Sequence, residues 1–161
     1  MTGANNALRV REGHAADAEW IARAQVAMAR ETEGMELEIE TVRRGVAHMF
    51  ESPGVGAYVV AEDRAPDGAE DGAIVGCLLT LREWSDWRAG DVWWIHSVYV
   101  APERRRDGVF SAMFDHVRKM ARDAGARGLR LYVDKTNTGA QATYHRMGMT
   151  NEHYEMFELM F

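Results

Sequence analysis

The chain has 161 residues with a formal net charge of -6, 47% hydrophobic and 27% charged residues, a composition ordinary for one soluble globular domain with a proper core. An acidic balance argues against nucleic acid as the main partner, and no apolar run is long enough to cross a membrane. One cysteine, Cys77, excludes an internal disulfide and fits a reducing compartment, so a cytoplasmic location with no leader segment is expected.

In chain order, residues 1–6 are small and polar and are expected to fray. Ala7 to Arg11 alternates, with Leu8 and Val10 on one face, and reads as a strand. His14 to Glu31 reads as a helix with Ile21, Ala24 and Met28 on its apolar face, stopped by Gly34. Ile39, Val42, Val46, Met49 and Phe50 predict a second helix over Glu38 to Glu51, broken by Ser52-Pro53-Gly54. The period then changes. Ala57 to Ala61 is a strand, Glu62 to Gly72 a polar surface loop, Ala73 to Arg82 a strand, Glu83 to Asp91 a tryptophan-bearing hairpin stretch with a turn at Gly90, and Val92 to Val100 a third strand. A helix over Val109 to Asp123, a strand over Leu129 to Val133, a short helix over Thr138 to Met147 and a closing strand over Tyr154 to Phe161 complete the order. No repeat or linker divides it, so a single domain over residues 1–161 is expected. Such elements bury best as an α/β (α+β) arrangement, a mixed sheet with helices on both faces.

The stretch from Val98 to His116 carries the first chemical signal. Pro102 stops the strand, Arg104, Arg105 and Arg106 form a basic turn, and Gly108 opens a helix. Free N–H groups at that helix start, from Gly108 through Val109, Phe110, Ser111 and Ala112, carry the positive end of the dipole and suit an anion. Arginine adds planar donors that fit phosphate oxygens. No Gly-Lys-Ser/Thr follows, and the three glycines of a dinucleotide fingerprint are missing. On Arg105-x-x-Gly108-x-Phe110 the chain resembles the Arg/Gln-x-x-Gly-x-Gly/Ala loop of the GNAT superfamily of acyl-CoA-dependent N-acyltransferases. That resemblance implies that the loop from Arg105 through Arg106, Asp107 and Gly108 to Ser111 holds the pyrophosphate of coenzyme A, and that Val98, Tyr99 and Val100 run beside the pantetheine arm. Phe110 stands where the family has a small residue, and its bulk is expected to point away from the ligand.

A second constellation follows in Leu131 to Met149. Asn137 precedes a helix it can cap, Ala140 and Tyr144 lie one turn apart, and Gly148 ends the helix. The GNAT pattern of Asn, Ala, Tyr and Gly after a strand resembles this. It implies that Asn137 and Ala140 contact the coenzyme and that Tyr144 is the general acid for the departing thiolate, a chemistry suited to a phenol. The element order is similar to the GNAT fold along essentially the whole chain, which implies a mostly antiparallel central sheet of about six or seven strands. The chain also looks like a bacterial subgroup of that superfamily carrying Glu-Thr-Glu-Gly and Glu-Trp-Ser-Asp-Trp-Arg segments, for which no definite substrate follows.

The resemblance implies transfer of an acetyl group from acetyl-CoA to a primary amine by direct attack in a ternary complex, and such an acceptor is cationic before it reacts. Glu31, Glu33, Glu83, Trp84 and Trp87 are the candidates, joined by Asp86, Trp93, Trp94 and His96, because aromatic walls and carboxylates attract cations. Trp93 and Trp94 fit packing or a homodimer face as well. His96 reads as a structural histidine and Cys77 as a buried structural thiol. The six histidines show no metal-ligand spacing, so no metal is expected. The competing expectation is a non-catalytic acyl-CoA-binding or dimerising module of the same fold.

Overall fold

The sheet is built from alternating apolar strands that each find an antiparallel neighbour. In the computed structural model, which describes residues 8–64 and 72–161, β1 (Leu8–Glu12) pairs with β2 (Gly56–Asp63), β2 with β3 (Ile74–Ser85), and β3 with β4 (Gly90–Val100), all antiparallel. β5 (Gly128–Arg130) adds in parallel to β4, giving a five-stranded mixed sheet in the order β1-β2-β3-β4-β5. α1 (Ala18–Glu33) and α2 (Ile39–Glu51) lie between β1 and β2 in the chain, and α3 (Val109–Asp123) lies between β4 and β5. The chain divides into two compact units, Met1–Arg130 and Leu131–Phe161; the second contains α4 (Thr138–Arg146).

Strand alternation distributes the core of the first unit over both sheet faces. Val60 pairs with Cys77, and these two join Tyr58, Ile21, Ala22, Ala24 and Val46 in one buried cluster under α1 and α2. The adjacent pair, Ala61 with Gly76, points the other way, toward α3. There Val109, Met113, Phe114, Val117 and Ala121 form the buried stripe of α3 at helical spacing. Each of the four larger side chains contributes about 1.5–3 kcal/mol by leaving water. A Cβ at Gly76 would stand 2.9 Å from Val109 Cγ1 and 3.2 Å from Met113 Cε, so glycine lets the start of α3 sit directly on β3.

Helix ends follow local chemistry. Gly34 closes α1 in the left-handed conformation, φ 63°. Glu38 caps α2 by accepting from the N–H groups of Glu40 and Thr41. Arg11, Asp17 and Glu62 tie β1, the turn before α1 and β2 together through Arg11 Nη1–Asp17 Oδ2 at 2.8 Å and Arg11 Nη2–Glu62 Oε2 at 3.0 Å. Burial alone would push the Asp17 carboxyl up, but the Arg11 guanidinium and the His14 N–H outweigh it and hold the carboxyl below its ordinary range.

Three expectations need correction. The described residues form five strands, not six or seven. Tyr154 to Phe161 forms no strand: the apolar pattern is there, but among the described residues the segment is not part of the five-stranded sheet, and Phe157, Leu159 and Met160 are exposed. The strands on either side of the tryptophan-rich hairpin run further into it than Arg82 and Val92, since β3 continues to Ser85 and β4 starts at Gly90, with Glu83 opposite Val92 and Trp84 opposite Asp91. The expected frayed start, 1–6, and the central part of the polar loop, 65–71, lie outside the described residues.

Two glycine substitutions should separate steric need from helix propensity in urea titrations. Gly76→Val should cost about 1–3 kcal/mol by overpacking against α3. Gly45→Ala, in α2 with nothing within 4 Å of an added Cβ, should add about 0.5–1 kcal/mol.

Candidate functional site

The β3–β4 ladder is interrupted where the chain approaches the basic turn. Cys77 pairs with Tyr99, but Leu79 pairs with His96, so Ser97 and Val98 together oppose Leu78. Ser97 adopts φ 54°, a left-handed backbone uncommon for a residue with a side chain. Gln25 reaches this point from α1. Its Nε2 donates to the Ser97 carbonyl at 3.3 Å and lies 3.6 Å from Cys77 Sγ, with the side chain buried. Sequence reasoning missed Gln25. The available signal was its place four residues after Ile21, a polar residue on the apolar face of α1.

Past the bulge, Val98 to Val100 deliver the chain to a one-turn 3-10 helix, Pro102–Arg104, and then to the turn before α3. The three arginines have different neighbours. Arg104 pairs with Asp107 at 3.0 Å and with Asp63. Arg105 donates Nε to the Val100 carbonyl at 3.0 Å, pairs through Nη2 with Glu31 Oε2 at 2.5 Å, and lies 5.7 Å from the centre of the Tyr99 ring. Arg106 is exposed with φ 71° and makes no ion pair among the described residues. Gly108 follows at φ 80°, with nothing within 4 Å of an added Cβ, so backbone conformation and not crowding calls for glycine.

No side chain caps the start of α3. Helix geometry gives the N–H groups at 109–111 no acceptor within the helix, and the positive end of the dipole adds to the field of Arg105 and Arg106. Val109 is buried, Ser111 exposed, and Phe110 sits 6.0 Å from the Phe114 ring, ring centre to ring centre. The arrangement is suited to a multiply charged anion.

The acceptor candidates do not come together. Glu33 lines a cavity of about 330 Å3 with Gln25, Met28, Tyr58 and Ser97, whereas Glu31 is held by Arg105. Glu83 accepts from Trp94 Nε1 and lies 3.4 Å from Arg130 Nη1. Trp84 and Trp87 are 67% and 85% exposed toward the turn of the β3–β4 hairpin. Trp84 lies six residue steps along β3 from Leu78, roughly 20 Å of strand. Trp93 is buried under the Arg82 guanidinium, 5.2 Å from the ring centre, and Trp94 stacks on His96 at 5.8 Å. Burial pushes the Cys77 thiol up to about 12 and lowers His96, so neither carries charge readily. Tyr58, also buried, is pushed up to about 12. Among the described residues no group of three or more His, Cys, Asp or Glu could hold a metal ion.

In the second unit, Asn137 Oδ1 caps α4 by accepting from Ala140 N–H at 3.1 Å. Asp134 accepts from Thr136 N–H at 2.7 Å, which shapes the turn before the helix. Gly148 ends the segment at φ 87°. Tyr144 is half-buried, and burial pushes its phenol above the usual tyrosine range, so it keeps its proton at neutral pH.

Comparison with known proteins agrees with this construction. Residues 20–149 match the profile of the acetyltransferase (GNAT) family. The chain therefore belongs to the GNAT acetyltransferase family. The structure of a possible acetyltransferase from Clostridium difficile 630 superposes with TM-score 0.84 and 34% identity, covering 96% of this chain and 98% of that one. A thialysine N-epsilon-acetyltransferase of Bos taurus is 32% identical over 91 residues, 56% of this chain and 53% of the relative, so the match spans about half the length of that curated protein. AAC(6')-Iy, solved in complex with the bisubstrate analogue CoA-S-monomethyl-acetylneamine, shares the fold with TM-score 0.73 at 13% identity, covering 96% and 98% of the two chains.

Gln25→Ala should lower the thermal midpoint by about 3–10 °C, since it removes a buried side chain and its donor to the half-buried Ser97 carbonyl. Glu31→Ala, breaking a solvent-exposed pair, should move it by no more than about 3 °C.

Proposed function

We propose that the protein is an N-acetyltransferase that moves an acetyl group from acetyl-CoA to a primary amine by direct attack in a ternary complex. The observation that carries this reading is the uncapped start of α3, opened by Gly108 in the left-handed conformation and flanked by Arg105 and Arg106, in a member of the GNAT family. Backbone donors with no side-chain acceptor, an open approach at Gly108 and two guanidinium groups fit a diphosphate. When bound, acetyl-CoA supplies an activated thioester carbonyl.

The chain's own residues then have these roles. The N–H groups from Val109 to Ser111, with Arg105, Arg106 and the backbone of Asp107 and Gly108 around them, hold the diphosphate. The backbone of Val98, Tyr99 and Val100 lies along the pantetheine arm, beside the interruption at Ser97. Asn137 and Ala140, joined by the cap of α4, contact the coenzyme as the family pattern implies. Tyr144 donates its phenolic proton to the departing sulfur, and its raised pKa supports that role because the proton is retained at neutral pH. Of the acceptor candidates, Glu33 is kept, since it lines the cavity next to Ser97. Glu31 instead orients Arg105.

Calorimetric titration with acetyl-CoA, followed by a free-thiol assay over a set of amines, tests the reading. Binding with thiol release on some amine is expected; binding with no release on any amine would favour the non-catalytic coenzyme-binding module. Tyr144→Phe should lower kcat by about 10–1,000-fold and leave acetyl-CoA affinity within about threefold, and equal loss in both would remove the acid role. Because the Tyr144 pKa is raised above its ordinary value near 10, its protonated form persists through the neutral and mildly alkaline range. The pH profile of kcat should therefore show no alkaline loss from this group below about pH 10.

A further inference from the structure

The cavity beside Ser97 carries information about the acceptor that the family does not. Met28, Ala29, Met35, Leu37, Val42 and Val46 supply its walls, from the two helices and the segment between them. Its polar lining is sparse. The Gln25 amide is already committed to the Ser97 carbonyl, and Tyr58 presents a phenol that stays protonated. Glu33 is the one carboxylate among the lining residues, and it stands exposed at the rim. The neighbouring carboxylate that could have added a second negative charge, Glu31, is taken by Arg105 at 2.5 Å. The acids and exposed tryptophans of the β3–β4 hairpin, Glu83, Trp84 and Trp87, do not line the cavity.

This lining can compensate one positive charge at its rim. A further ammonium group would be pressed against methionine, leucine and valine side chains without a partner, which is unfavourable for any charge leaving water. An apolar body would instead bury surface against the same walls. The volume, about 330 Å3, is at the small end of ligand pockets, which span roughly 300–1,000 Å3.

We propose that the acceptor is a primary amine carried on a compact apolar body, bound in the α1–α2 cavity, and not a polyamine or a polycationic sugar. The inference rests on the acetyl-transfer reading above and narrows its substrate class.

Steady-state thiol release from acetyl-CoA tests it with hexylamine, phenethylamine and tryptamine on one side and spermidine and kanamycin on the other. The expected result is a kcat/KM for at least one apolar amine about tenfold or more above that for either polycation. Val42→Glu should reduce that apolar-amine value by about 10–100-fold and raise the relative value for spermidine, with acetyl-CoA affinity by calorimetry unchanged. Met35→Glu, at a side chain 49% exposed, makes the same test in case the first variant does not fold. Preference for spermidine or kanamycin would overturn the inference and leave acetyl transfer standing. So would variants that lower all amines in equal proportion. Acetyl-CoA binding with no release on any of the five amines overturns the inference, and the wider amine set used above then decides whether acetyl transfer falls with it.

Discussion

The structure depends on one irregularity, the point at which Ser97 and Val98 of β4 oppose the single residue Leu78 of β3. An unbroken antiparallel ladder would satisfy every backbone group and leave nothing for a ligand. Here a residue with a side chain is held at φ 54°, and the Gln25 amide fixes its carbonyl from the helix above. Because the peptide is planar and trans, fixing that carbonyl also fixes the direction of the Val98 N–H. The same irregularity borders the cavity under α1 and α2, and the strand beyond it leads straight into the basic turn. The cavity and the basic turn thus lie on either side of one interruption in β4.

Charge is arranged locally against the acidic background. The protein carries -6 overall, yet three consecutive arginines precede α3. Asp63 and Asp107 hold Arg104, Glu31 holds Arg105, and the Val100 carbonyl adds a second restraint on Arg105. These contacts are exposed or half-exposed and contribute little to stability. Their effect is on position: they hold a guanidinium beside the open helix start and connect the last turns of α1 to the loop. The glycine at 76 serves the same end from below, because it lets α3 begin flush with β3.

Much of this was legible in the chain. The helix over Val109 to Asp123 has the bounds expected from its apolar spacing, and Gly108 and Gly148 adopt positive φ where a turn was expected. The Asn137 cap was readable from residue type and position alone. What could not be read depends on pairing between distant segments. The β4 irregularity has no local signature, since Ser97 lies in an ordinary alternating run. Gln25 matters only because Ser97 and Cys77, 72 and 52 residues away, arrive under it. The tryptophan-rich segment looked like an aromatic box because composition ignores strand register. Register buries Trp93, turns Trp84 outward and leaves Glu83 bonded to Trp94. Tyr154 to Phe161 shows the converse, a strand pattern that is not part of the five-stranded sheet.

The most direct test of the central claim is amide hydrogen exchange across residues 105–112 with and without saturating coenzyme A. Uncapped N–H groups at a helix start exchange quickly, and a diphosphate seated on them must slow that exchange. The account predicts protection at Val109 to Ser111 and no change along the exposed face of α2. Saturating binding with no protection at the start of α3 would contradict it, because the anion would then be held elsewhere.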